Sequence, residues 1–213
     1  MNEYNVGDLI SDFLFENDLK TVFGVVSVHN IPILDAIAKR NLIKFIPARG
    51  EMGAGHMADG FARSSDKVGV VITSTGPGAA NVVGSLVEAR FAGTPLLHIT
   101  GQTATENLDK NQGTVHDVPN QLEMMKSVSK NAYRISSSKN VLEVLEKALE
   151  EAMTPPTGPV SIEVPIDVQR TITNRKEIFN KVIVNDKNIS LGNLKSLDLI
   201  EEEIRKSKRK ILW

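Results

Sequence analysis

Ile43 to Arg63 reads IKFIPARGEMGAGHMADGFAR: a short apolar run, an acid flanked by glycines, then a segment of helical character. An apolar run that stops at a proline and passes at once into a helix is a strand feeding a crossover helix. The same unit recurs on both sides. Thr21 to Val26 (TVFGVV) is a predicted strand, followed by Asn30 as a predicted N-cap and Pro32 in the first turn of a helix through Ala38. Val68 to Ser74 (VGVVITS) runs into the turn Gly76-Pro77-Gly78, which opens a helix through Phe91. Pro95 to Thr100 (PLLHIT) is a fourth strand. Residues 102–118 are polar and aperiodic and read as a loop, the kind of long connection that often carries function.

Further out, Val6, Leu9, Ile10, Phe13 and Leu14 form a helical stripe. Ser127 to Ile135 reads as a strand. Val141, Leu142, Val144, Leu145, Ala148, Leu149 and Ala152 line one side of a helix, and Pro159 to Val164 (PVSIEV) is the last strand. This alternation predicts an α/β fold with a mainly parallel sheet and helices on both faces. Right-handed crossovers bring the C-terminal ends of the strands to one edge. Ser27–Asn30, Arg49–Glu51, Thr75–Gly78 and Gly101–Gln102 are therefore expected to converge where ligands bind in such sheets.

The chain has 213 residues, a net charge of −1 and no cysteine. That length supports one good core. The charge balance points to neither nucleic acid nor an anionic membrane, and disulfide and thiolate chemistry are excluded. The start, MNEYNVGDLI, lacks a charged region followed by an apolar one, and no apolar run is long enough for a bilayer, so a cytoplasmic location is expected. The four histidines, at 29, 56, 98 and 116, are too scattered for a zinc signature. After Val168 the chain turns polar. Residues 169–190 read as a linker, and 191–213 as a helix followed by the start of another strand.

Glu51 is the leading candidate for chemistry. An acid in the first turn of a helix is common and often serves only the helix dipole. The glycines at 50, 53 and 55 shift the balance, because glycine weakens a helix and suggests close approach of another group. With little polar company the carboxyl is expected to have a raised pKa and to hold or pass a proton. The turn Thr75-Gly76-Pro77-Gly78, followed by Asn81, lacks both the P-loop lysine and dinucleotide spacing. His29 and His116 read on their own as loop histidines. His98 reads as a hydrogen-bonded core residue, His56 as packed on the Glu51 helix, and Asp59 with Arg63 as an i,i+4 pair.

Several segments together resemble the pyrimidine-binding (PYR) domain of thiamine diphosphate (ThDP) enzymes of the acetolactate synthase and benzaldehyde lyase type. They are FGVVSVHN (Phe23–Asn30), RGEMGAGHMADGFAR (Arg49–Arg63), TSTGPGAAN (Thr73–Asn81), PLLHITGQ (Pro95–Gln102), SVSK (Ser127–Lys130) and GPVSIEVPIDV (Gly158–Val168). The resemblance implies a PYR domain over 1–168, a linker over 169–190, and the opening of a truncated central domain over 191–213. It implies that Glu51 hydrogen-bonds the cofactor's aminopyrimidine and activates it, the cofactor acting as electron sink. Thr75, Gly76, Pro77, Gly78 and Asn81 match the turn near the pyrimidine edge. His29 matches a histidine of the benzaldehyde lyase branch, and His116 lies at or beside a substrate-facing position. Both are expected to handle protons on the substrate side.

The family anchors the diphosphate through Mg²⁺ on a separate domain with a Gly-Asp-Gly…Asn motif, which this sequence does not contain. The resemblance therefore implies a chain holding half of an active site and inactive alone. It also implies a carbonyl substrate such as a 2-keto acid, and a homodimer or homotetramer formed through this domain. Val25-Val26-Ser27-Val28-His29 replaces the Pro-Gly-Gly type loop of acetolactate synthases, and their Phe-Gln-Glu type segment is replaced around Val115-His116-Asp117. These departures favour a carboligase or decarboxylase relative over acetolactate synthesis itself. Two other readings stay open: the separate PYR subunit of a two-chain decarboxylase, and a non-catalytic assembly or regulatory module.

Overall fold

The computed structural model describes residues 3–110, 112–174, 179–183 and 194–209. The chain divides into two compact units, Met1–Ile183 and Val184–Trp213. In the first, the strands are β1 (Thr21–Gly24), β2 (Lys44–Pro47), β3 (Gly69–Thr73), β4 (Leu96–Gln102), β5 (Asn131–Arg134) and β6 (Pro159–Pro165). They form one sheet in the order β2-β1-β3-β4-β6-β5, and every neighbouring pair is parallel. The helices are α1 (Val6–Glu16), α2 (Ile31–Arg40), α3 (Glu51–Ser65), α4 (Pro77–Asn81), α5 (Val83–Ala92), α6 (Gln121–Val128), α7 (Val141–Met153) and α8 (Ile166–Arg170). The expected parallel α/β sheet is present.

Period-two alternation sorts the strand residues onto two faces. Val22, Val70, Ile72, Leu97, Ile99, Val160 and Ile162 face a core built with α1, α2 and α7. Phe23, Val71, Leu96 and Ala132 face a smaller core with α3, α5 and α6. Phe13, Ile33 and Leu86 are among the side chains buried completely, and each contributes about 1.5–3 kcal/mol. Helix ends follow local chemistry. Asn5 and Asp8 close a capping box on α1. Gly93 ends α5 in the left-handed conformation that glycine adopts without a Cβ penalty. Beyond α8, Phe179 and Val182 pack on the larger core, and the Val182 N–H donates to Asn17 Oδ1 at 2.9 Å.

Three local expectations are corrected. Ser127 and Val128 belong to α6, and the strand spans only Asn131–Arg134. Leu122, Met125 and Val128 recur at helical spacing and pack on the smaller core, which outweighs the short alternation that suggested a strand. The helix expected from Gly78 through Phe91 is two helices separated by Val82. Asn30 sits at the N-cap position of α2 without capping it through its side chain. In the second unit, α9 (Leu194–Lys206) is a solvated helix with Glu201–Arg205 and Glu202–Lys206 pairs. Residues 211–213, read as the start of a strand, lie outside the described residues. No helix among the described residues is long and apolar enough to cross a membrane.

His98 is completely buried in β4. Its Nε2 lies 2.9 Å from Thr73 Oγ1 and its Nδ1 2.9 Å from Ser161 Oγ, which in turn lies 2.8 Å from Ser129 Oγ. Complete burial pushes its pKa down from 6.5 to about 3. The unfolded chain takes up a proton on this residue below pH about 6.5 and the folded chain does not, so stability falls as pH drops through that window. Urea titration is expected to show a loss of about 2 kcal/mol between neutrality and pH about 5 from this group. His98→Asn is expected to be less stable at neutrality and to lose that part of the slope; an unchanged slope contradicts the assignment.

Candidate functional site

The ends of β1, β3 and β4 are tied together. Ser27 Oγ, after β1, lies 2.6 Å from Ser74 Oγ, after β3. The buried Asn30 side chain accepts from the Ser27 N–H at 2.9 Å and donates to the Val25 carbonyl at 2.9 Å, folding the loop back on itself. A Cβ on Gly101 would overlap the His29 carbonyl, so the loop lies directly on the end of β4. Gln169, on α8, donates to the His29 carbonyl at 2.7 Å and the Val164 carbonyl at 2.8 Å. The expected convergence on one edge is realised.

Glu51 is the first residue of α3, after Gly50 in extended backbone. Its Oε2 accepts from Asn81 Nδ2 at 3.2 Å. Its Oε1 lies 3.0 Å from where a Cβ on Gly78 would sit. The acid thus meets the glycine corner and Asn81, residues far away in sequence. The glycines around it divide into two roles. Gly55 is packed against Ser85 and Val82, whereas a Cβ on Gly50 or Gly53 would meet nothing within 4 Å. Gly55 serves helix packing, and open space lies beside Gly50 and Gly53. Glu51 is half-buried and has the Asn81 amide beside it, where the sequence predicts little polar company.

The turn itself is held from below. Gly76 has φ +56°, and a Cβ there would overlap the His116 carbonyl, so glycine is required twice. Its N–H donates to Gln121 Oε1 at 2.6 Å. Thr75 Oγ1 lies 2.9 Å from the same oxygen and 3.0 Å from Gln102 Oε1. Both amides donate to the buried carboxylate of Glu163, at 3.1 Å from Gln121 and 3.3 Å from Gln102. Sequence reading missed Gln102, Gln121 and Glu163 as site residues. The available signal was Glu163 itself, an acid inside an otherwise apolar strand.

The His29 and His116 rings stand 5.4 Å apart, centroid to centroid, at 51°. His29 is half-buried and its Nδ1 has no partner among the described residues, whereas His116 is exposed with φ +65°. Burial, then the neighbouring His116, lower the His29 pKa and favour neutral imidazole. His98 is the expected core residue, and Asp59 pairs with Arg63 at 2.8 Å. His56 is exposed rather than packed, because α3 buries its Ala54, Ala58 and Ala62 face instead. Gly76→Ala combines a strained φ with an overlap and is expected to cost about 1–3 kcal/mol. Gly53→Ala, facing open space, is expected to be neutral or to add up to about 1 kcal/mol. Thermal denaturation of the two variants side by side checks this; equal melting temperatures contradict the geometry.

Comparison with known proteins agrees with this arrangement. The family described as "Thiamine pyrophosphate enzyme, N-terminal TPP binding domain" matches residues 4–124. The chain is 31% identical over 169 residues to the mitochondrial acetolactate synthase catalytic subunit of Aspergillus candidus, covering 79% of this chain and 24% of that protein. It is 34% identical over 160 residues to the acetolactate synthase large subunit of Lactococcus lactis, covering 75% and 27%. Against acetolactate synthase isozyme 1 large subunit of Escherichia coli it is 31% identical over 165 residues, covering 78% and 29%. The chain spans about a quarter of the length of the curated relatives it matches. By sequence, sheet and edge geometry together, it belongs to the thiamine diphosphate enzymes, as a pyrimidine-binding domain of the acetolactate synthase-like family.

Proposed function

We propose that this chain is the N-terminal cofactor-binding portion of a ThDP-dependent carboligase or decarboxylase acting on 2-keto acids or related carbonyl compounds. One observation carries the reading: the Glu51 carboxylate is held by Asn81 at 3.2 Å against Gly78, with open space beside it. A carboxylate held at one oxygen by an amide and only half-buried can hold a proton at a heterocyclic nitrogen. Those residues fit an aminopyrimidine edge. Glu51 would face the ring nitrogen, and Thr75, Gly76, Pro77, Gly78 and Asn81 would form the wall. Bound ThDP supplies a stabilised carbanion equivalent for attack on, or release of, an acyl group.

His29 and His116 take the substrate side of this reading. Burial keeps the His29 imidazole neutral, with one ring nitrogen as an acceptor. Mg²⁺ and the diphosphate belong, in this reading, to another domain beyond the pyrimidine-binding one, with residues 191–213 opening the domain between them. The relatives bear on location only broadly, since some are named as mitochondrial. The Val25–His29 and Val115–Asp117 segments favour a relative with its own substrate over acetolactate synthesis itself.

A second copy of the chain is the partner in this reading. α3 and α5 pack together, and their outer sides carry Met57 with Gly53 and Gly60, and Val87 with Gly84 and Phe91, at helical spacing. Met52 reaches over Gly84, and Phe91 is 90% exposed. Such a face is more apolar than a solvated surface needs, and it lies on the helix that carries Glu51. A partner there would supply the missing cover. Phe91→Asp is expected to lower the assembled mass in sedimentation of the complete protein; an unchanged mass rules out this face.

Glu51→Gln in the complete enzyme is expected to lower kcat on its 2-keto acid at least about 100-fold with the melting temperature preserved. Unchanged turnover favours the non-catalytic assembly module instead. The 213-residue chain assayed alone is expected to be inactive, and turnover by it overturns the division of the site between domains.

A further inference from the structure

The Glu163 side chain is completely buried in the C-terminal half of β6, where a charged group without partners is severely penalised. Its Oε1 accepts from Arg134 Nε, and its Oε2 accepts from Gln121 Nε2 at 3.1 Å and Gln102 Nε2 at 3.3 Å. An ionised carboxylate can only accept. Both amide NH₂ groups must therefore face Glu163, and both amide oxygens must face away from it, toward residues 75 and 76. The Gly76 N–H then finds an acceptor in Gln121 Oε1 at 2.6 Å. Gln102 Oε1 takes the Thr103 N–H at 2.7 Å. The single Thr75 hydroxyl proton serves one of the two oxygens at a time. With Gln121 reversed, an NH₂ would face the Gly76 N–H, donor against donor, in a buried place.

The same acid also reaches the loop. Arg134 bridges Glu163 to Asp109, 2.8 Å from its Nη1. Asp109 lies in the segment that leads to His116, whose carbonyl lies over Gly76. The Glu163 carboxylate, together with the Gly101 carbonyl that accepts from Gln121 Nε2 at 3.3 Å, sets the polarity of the bonds beneath the glycine turn, and through Arg134 it reaches the loop above.

We propose that Glu163, acting through Gln121, is a positioning residue that fixes the Gly76 turn on which the cofactor edge is built; this rests on the cofactor reading of that turn. Glu163 touches neither Glu51 nor the open space beside it. Its effect is to select one of two amide orientations, and through it one conformation of residues 75–78.

The test uses the complete enzyme. Glu163→Gln keeps the shape and removes the acceptor-only demand. Amide hydrogen exchange is read over residues 74–78, together with ThDP affinity by calorimetry in the presence of Mg²⁺. Exchange at Gly76 is expected to rise tenfold or more. The ThDP Kd is expected to rise severalfold and kcat to fall, with KM for the 2-keto acid unchanged. Gln121→Met is expected to give the same pattern, and the double variant to be no worse than Gln121→Met alone, because the two act as one unit. Should Glu163→Gln fail to fold, Gln121→Met, which leaves the Glu163–Arg134 pair in place, decides alone. Unchanged exchange at Gly76 in that variant overturns the proposal. Glu51→Gln separates the two readings: if it leaves turnover intact while Gln121→Met deprotects Gly76, the cofactor reading fails and the control of the turn stands. If Glu51→Gln abolishes turnover and Gly76 stays protected in Gln121→Met, the reverse holds.

Discussion

The hydrogen bond from the Gly76 N–H to Gln121 Oε1, at 2.6 Å, is the contact on which the sheet's functional edge turns. Gly76 follows β3 with a positive φ, and its N–H is met by a side-chain acceptor. A buried amide without an acceptor costs about 1–3 kcal/mol. The fold supplies that acceptor from α6, which is why a short helix after a long loop matters to the site. Everything nearby follows from the turn so held. Pro77 and Gly78 start α4, Asn81 comes within reach of Glu51, and the His116 backbone lies where a side chain on residue 76 would be.

The same economy governs the other polar groups in the sheet. Parallel strands buried on both faces leave no water to satisfy side chains, so each polar residue brings its own partner. His98 does so with Thr73 and Ser161, across β3, β4 and β6. Glu163 does so with Arg134 and two glutamines. The consequences differ. The His98 chain lies within the strands and fixes their packing. The Glu163 cluster lies at their C-terminal ends, where its orientation is passed to a loop. Position along the strand, more than residue type, separates a structural polar cluster from one that shapes a site.

Much of this architecture is visible in sequence, and what is hidden is hidden for a physical reason. Strand, turn and helix follow one another at short range, so β1 to β4 and the helices after β1 and β2 are read from local pattern. The pairing of Glu51 with Gly78 and Asn81 follows once the sheet is known to be parallel, because the topology brings those ends together. α6 is not visible in the same way. Its apolar residues, Leu122, Met125 and Val128, are spread over barely two turns among charged neighbours. Nor can the role of Glu163 be read locally, since Gln102, Gln121 and Arg134 come from three other elements. A buried acid in a strand announces that partners exist; only the three-dimensional arrangement says which.

The site's exposure bears on how the chain works. Glu51 is half-buried, His116 is exposed, and Val26, Val28 and Val115 next to the two histidines in sequence are exposed as well. An apolar rim is unfavourable in water, and the electrostatics of the groups it surrounds strengthen when water is excluded. The chain has already placed its rigid elements: the acid on a helix start, the glycine corner on a buried network, the histidine loop on Gly101. A wall of another domain or subunit laid over this edge would bury the valines and more of Glu51 in one step.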